Sequence, residues 1–315
     1  MHRLARAGIS LVAGSVLVSS MQGCVTTSVR NFAPDELSGQ GKGTVMLYLH
    51  HAAVVPKDEQ YLKAATLQAF PKLKDALDGC KPTGASIQSL AAVIVPVVGK
   101  LLFDLYVDKQ ARDLEALKES SEKSYHARAV LRADGLSAAV SGGHCFVVTR
   151  TTDDDAVPQF VAVLALSRAP KELVPGQTVE AFTFRPTYAA ARSAVAVTRK
   201  ADKPKISTSF AVSVRAIGIQ DNKLPAFAQV GEAAVTVPGM VLSNAIRPDN
   251  VGCTKECPAS DPIPLVPGTG TLAVGIGVTE KGETGIDFDA ATSELSAIKA
   301  AIGPMISEVL KEKLK

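Results

Sequence analysis

The residues able to do chemistry are few, and their spacing is informative. Ser141-Gly142-Gly143-His144 sets a hydroxyl three residues ahead of an imidazole, and Asp153 follows a short way on. A nucleophile, its base and an orienting carboxylate are the parts of a hydrolytic site. The G-x-S-x-G elbow that presents a hydrolase serine is absent, however, and a Gly-Gly pair ahead of a strand is ordinary turn chemistry. His50 and His51 are neighbours, and neighbours in a strand face opposite sides, so the pair cannot close on one metal. His126 stands among basic residues rather than further ligands. Asp153-Asp154-Asp155 concentrates negative charge without the alternating carboxylates and distal Glu of a calcium loop, and reads as a solvated turn. No P-loop, dinucleotide or H-E-x-x-H pattern occurs. Gly275 and Gly277 form only a G-x-G inside an expected strand, where they let a neighbouring group approach the sheet closely. No catalytic residue, metal ligand or cofactor is therefore assigned. The enzymatic alternative is a dispersed hydrolytic site built on Ser141, His144 and Asp153.

Cysteine carries a different signal. The first two dozen residues place Arg3 and Arg6 ahead of an uncharged, mostly apolar run from Ala7 to Val18. That order is a secretory signal. The run is about 12 residues, short of the roughly 20 that cross a bilayer as a helix. It ends at Met21-Gln22-Gly23-Cys24, which resembles the lipobox of bacterial lipoproteins, a small residue directly before a cysteine. The resemblance is confined to this segment. It implies cleavage before Cys24, a diacylglyceryl group on its sulfur, and residues 1–23 as a removed signal peptide. Val25, where Asp would retain the protein at the inner membrane, implies an outer-membrane position facing the periplasm. The membrane is then a partner through the lipid on Cys24, each buried methylene contributing about 0.8 kcal/mol.

With Cys24 lipidated, the remaining thiols are four: Cys80, Cys145, Cys253 and Cys257. An even number suits an oxidising compartment. Three pairings are possible. The expected one joins Cys253 to Cys257 across a short loop and Cys80 to Cys145 across a longer one; zinc at the C-x3-C pair would need two more ligands, and no His is near in sequence.

Composition narrows the function further. The hydrophobic share of 46% in 315 residues supports a sizeable folded core. Without Arg3 and Arg6, the 34 basic residues become 32 against 31 acidic ones, so the electrostatic drive for nucleic acid is missing. There is no Trp, which weakens a carbohydrate-binding reading.

These residues must be positioned by a mainly β fold with helices (α+β), an antiparallel sandwich or barrel-like body over 44–315 with two subdomains as an option, preceded by a tether over 24–43. Strands are expected over 44–55, 125–132, 145–151, 160–167, 179–184, 194–198, 206–219 and 271–279 from alternation and β-branched content. Weak helical character over 58–78 breaks at Pro71. A long helix is expected near 86–124, apolar on nearly every face from Leu90 to Val107, and an amphipathic helix from about Thr292. The proline-dense stretch 238–267 reads as a loop excursion. The functional expectation is a membrane-anchored lipoprotein whose body is a binding or structural component of the cell envelope, with an envelope protein as its partner. A membrane-active protein using 90–107 is the remaining alternative.

Overall fold

The computed structural model describes residues 32–39, 43–50, 60–80, 90–92, 105–152, 157–174, 177–219, 225–243 and 257–293. The chain is mainly β, with two antiparallel sheets, one of them a half-barrel, and a few short helices. It divides into two compact units, one carrying the sheets (34–97 and 121–283) and one carrying 98–120 and the segment from Thr284 onward.

The first sheet has six strands. In chain order these are β1 (Gly43–His50), β2 (Leu90–Ala92), β4 (Cys145–Thr152), β5 (Phe160–Arg168), β8 (Ala181–Ala191) and β11 (Ile263–Pro264), arranged in space as β11-β8-β5-β4-β1-β2. The second has four, ordered β10-β9-β12-β3: β3 (Glu122–Arg132), β9 (Lys205–Ile219), β10 (Pro225–Val241) and β12 (Thr271–Gly282). A small hairpin, β6 (Lys171–Val174) with β7 (Gln177–Val179), stands apart from both.

Alternation decides which residues fill the space between the sheets. Phe146 and Val148 of β4 meet Phe210, Val212 and Val214 of β9 and Leu272, Val274, Ile276 and Val278 of β12 in one core. Tyr125, Ala127, Ala129 and Leu131 of β3 point the same way, while His126, Arg128, Val130 and Arg132 are exposed. The six-stranded sheet is buried on its other face as well. There Tyr48, Val147, Val161, Val163 and Tyr188 pack on Tyr61, Phe70, Leu73 and Leu77 from a 3-10 turn (Gln60–Leu62), α1 (Ala64–Ala69) and α2 (Leu73–Asp78). Pro71 falls in the break between α1 and α2, as expected of a residue without an N–H. A β5 buried on both faces explains its unbroken apolar run.

The disulfide between Cys80 and Cys145 ties the end of this helical layer to the first residue of β4. Ser141-Gly142-Gly143-His144 closes α4 (Ala133–Ser141). The His144 N–H reaches back to the Ala139 carbonyl, and Gly143 takes φ 65°, a conformation other residues adopt at a cost.

Three expectations need correction. Leu90–Ala92 is a strand, paired antiparallel with Val45–Leu47 of β1, and among the described residues no long apolar helix exists. The helix α3 (Leu105–Ser121) is charged along most of its length, and 93–104 lie outside the described residues. A short run of Leu and Ala carries no period that separates a sheet edge from a buried helix, so the pattern could not choose. Residues 122–124, assigned to that helix, open β3 and pair along β12. The 194–198 segment is not a strand; it carries the chain from the six-stranded sheet into the four-stranded one and bonds to Glu280 and Leu37 instead of a ladder. The opening of 238–267 belongs to β10, which is a sheet edge where Pro238 is tolerated.

In the other unit, Leu114 of α3 is buried with Ala291 against Ile286 and Phe288. A helical stretch occupies 288–293. The expected C-terminal amphipathic helix lies almost wholly outside the described residues, as does the entire 1–31 region with its signal and Cys24.

Candidate functional site

The densest chemistry lies between the two sheets. Arg150 follows Phe146 and Val148 in the inward phase of β4, and Glu280 follows Leu272, Val274, Ile276 and Val278 in that of β12. Each strand therefore carries a charge into the core. Arg150 Nη2 lies 3.6 Å from Glu280 Oε1, with side-chain exposures of 1% and 0%. Tyr125 donates its hydroxyl to the same Oε1 at 2.8 Å, and its ring lies 5.8 Å from the guanidinium carbon. Glu280 Oε2 accepts the backbone N–H groups of Val195 at 2.6 Å and Ala196 at 3.3 Å. Arg150 Nη2 also donates to the Ser193 carbonyl. The pair therefore clasps the crossing segment from both sheets at once.

Gln159 extends the network. Its N–H donates to the Arg150 carbonyl, its own carbonyl accepts from Arg192 and Ser193, and its side chain accepts from the Ser193 hydroxyl at 3.2 Å. Burial, and then the Glu280 carboxylate, push the Tyr125 hydroxyl well above its ordinary pKa, so it stays a donor at any physiological pH. Arg150 Nε and Nη1 and the Thr208 hydroxyl are enclosed with no hydrogen-bond partner among the described residues. A charge pair this enclosed, whose contacts beyond Tyr125 go to the backbone of Ser193, Val195 and Ala196, is built to hold a chain crossing.

Ser141, His144 and His50, singled out from sequence, each make their own contacts. Ser141 is exposed; its hydroxyl donates to the Ser137 carbonyl at 2.7 Å and accepts from Arg168 Nε at 3.1 Å. His144 is buried, with Nδ1 donating to the Ala139 carbonyl at 2.9 Å. Neither bond is the nucleophile-to-base contact of a hydrolase, and Asp153 lies outside the described residues. His50 is buried with Nδ1 3.0 Å from the Tyr61 hydroxyl; His51 lies outside the described residues. Among the described residues no group of three His, Cys, Asp or Glu side chains could hold a metal. Cys257 is disulfide-bonded as well, and Cys253 lies outside the described residues.

Two open features stand out among the described residues. A cleft of about 660 Å³ runs between α4 and the 265–269 segment, with Asp134 and Glu180 at its margin. Both carboxylates already have partners, Asp134 in Arg132 at 2.8 Å and Glu180 in Arg168 at 3.8 Å. The second feature is a trough of about 520 Å³ across the outer face of the four-stranded sheet. Gly275 and Gly277 form its floor with Ala211 and Ser213, and His126, Arg128, Arg215 and Glu232 stand around it. A Cβ on Gly275 would come within 2.9 Å of Ser213 Oγ, the close approach of a side chain that the G-x-G suggested. No protein-family model, curated protein or solved structure matches this chain.

Sequence reading missed Arg150, Glu280 and the trough. The signal for the first two was phase. Each charge sits two residues beyond an inward apolar row, at a position that alternation places inside.

Proposed function

We propose that this chain is an exported lipoprotein, held on a membrane through Cys24, whose β body is a non-catalytic binding component of the cell envelope. The observation that carries the reading is the Cys80–Cys145 disulfide in a chain that opens with a secretory signal ending at a cysteine. Disulfides persist in oxidising compartments, and this one joins two buried residues. The described bonds of Ser141 and of His144 Nδ1 run to Ser137, Arg168 and Ala139, and the trough supplies a surface on which binding can occur.

The test is fractionation of cells expressing the wild type and Cys24→Ser, with labelled palmitate. Wild type is expected in the membrane fraction carrying label, and Cys24→Ser in the soluble envelope fraction without it. Membrane retention of the variant, or an unlabelled wild type, overturns the anchoring.

A further inference from the structure

The outer face of the four-stranded sheet has a graded chemistry that register makes visible. Directly paired residues share a face, so the ladder resolves it into rows running across the strands. The end row holds Glu122, Lys281 and Ser207, and the one inside it is hydroxyl-bearing: Ser124 bonds Thr279 at 2.8 Å and Ser209 bonds Thr236 at 2.7 Å. The next two rows have Gly277 and Gly275 at their centre, with His126 and Arg128 on the β3 side. Beyond them Val130, Ala273, Arg215 and Gln229 align, and then Arg132, already paired with Asp134, with Thr271, Ile217 and Phe227. These six rows, spaced two residues apart, extend about 34 Å along the strands.

Three observations set this face apart. Val130 and Phe227, 47% and 58% exposed, are the exposed large hydrophobics among the described residues, and both lie here at the same end. Arg128 and Arg215 are exposed and enter no ion pair among the described residues, whereas Glu232 already accepts from Gln229 Nε2 at 2.9 Å. Between these groups the glycines recess the floor into a trough. Guanidinium groups without an ion-pair partner are suited to bidentate capture of carboxylates, and large apolar side chains exposed on the same face are the mark of an interface.

We infer that this face docks an extended acidic segment of a partner protein, its carboxylates on Arg128 and Arg215 and its aliphatic side chains on Val130 at one sheet edge and on the paired Ile217 and Phe227 toward the other. The inference names the partner class for the binding role proposed above and rests on that reading. A recessed floor favours a single extended chain over a planar bilayer. Phe227 is the face's one aromatic side chain among the described residues, which disfavours a sugar platform.

The experiment uses the full chain carrying Cys24→Ser, purified from whole cells, so that it stands whether or not the lipid anchor does. Fluorescent octapeptides of alternating Glu and Leu, and of alternating Lys and Leu, are titrated by anisotropy. The acidic peptide is expected to bind at least tenfold more tightly, and Arg128→Glu/Arg215→Glu to reverse that preference. Gly277→Leu fills the trough outward, since a Cβ there meets only Ala211 at 3.9 Å. It should abolish peptide binding with the melting temperature unchanged, which separates loss of site from loss of fold. Equal binding of both peptides, indifference to the charge reversal, or flotation with phosphatidylglycerol vesicles in place of peptide binding overturns the inference. If binding occurs but Cys24→Ser stays on membranes in cells, the anchoring reading fails and the docking face stands.

Discussion

Arg150 and Glu280 face each other across the sheets with 3.6 Å between Nη2 and Oε1, and neither side chain reaches solvent. Their surroundings are unequal. Without Arg150, the carboxylate keeps the Tyr125 hydroxyl and the Val195 and Ala196 N–H groups. Without Glu280, a buried cation keeps only the Ser193 carbonyl and the Tyr125 ring among the described residues, and the Tyr125 hydroxyl and two backbone N–H groups lose their acceptor. Glu280→Leu should therefore lower stability by about 3–5 kcal/mol and Arg150→Met by about 1–3 kcal/mol. In urea denaturation, Arg150→Met/Glu280→Leu should cost clearly less than the two single changes added. Strict additivity would show that the two side chains do not interact.

Alkaline pH should unfold the protein through its buried phenols. Burial raises the Tyr188 hydroxyl, and burial with the Glu280 carboxylate raises that of Tyr125. A folded pKa above the unfolded value means stability is complete below about pH 10 and falls as pH rises further, by about 1.4 kcal/mol per pH unit for each such tyrosine. Phenolate absorbance should show these two of the five tyrosines ionising only as the fold is lost. Tyr125→Phe should flatten the decline above pH 10; an unchanged slope would remove Tyr125 from the account.

The Cys80–Cys145 disulfide closes a loop across 65 positions. On chain-entropy grounds it contributes about 4 kcal/mol. Cys80→Ala/Cys145→Ala should lose 2–5 kcal/mol in equilibrium denaturation, and hydrogen exchange should rise first in α1 and α2, whose attachment it fixes. A stability loss spread evenly over both sheets would contradict that assignment.

Two glycines of β12 should respond in opposite ways. A Cβ on Gly282 would land on the Val197 carbonyl, where the crossing segment passes directly over the strand, while one on Gly277 meets only ordinary contacts. Gly282→Ala should cost about 2–4 kcal/mol by forcing the segment off its seat. Gly277→Ala should leave stability unchanged or slightly raised. Equal melting temperatures for the two variants would mean that the crossing segment adapts freely.

Much of the β framework was legible because alternation is a local property. Phe210, Val212 and Val214 against Ser209, Ser213 and Arg215 describe β9 without knowledge of its partners. What was not legible depends on partners. Leu90–Ala92 becomes strand because β1 offers it an edge. Val195 and Ala196, in a segment that reads as strand, leave the ladder because Glu280 supplies an acceptor from a position 84 residues away. Gly135 and the polar residues around it hid α4, whose buried face of Leu136, Ala139 and Val140 is short. Arg150 reads as a solvated charge until its phase in β4 is set beside Phe146 and Val148. The trough required register, which no single strand reveals.

The pairing of β3 with β12 has a consequence in time. In its sheet β3 touches only β12, which arrives near the end of the described chain, and the inward row of Tyr125, Ala127, Ala129 and Leu131 has no ladder partner until then. Contacts this distant in sequence form slowly. A chain emerging N-terminus first, from a ribosome or through a pore, can assemble β4, β5 and β8 early, yet its four-stranded sheet cannot close until Gly282 has emerged. Completion of that sheet is thereby deferred until β12 has emerged, and until then the apolar row of β3 waits without its ladder.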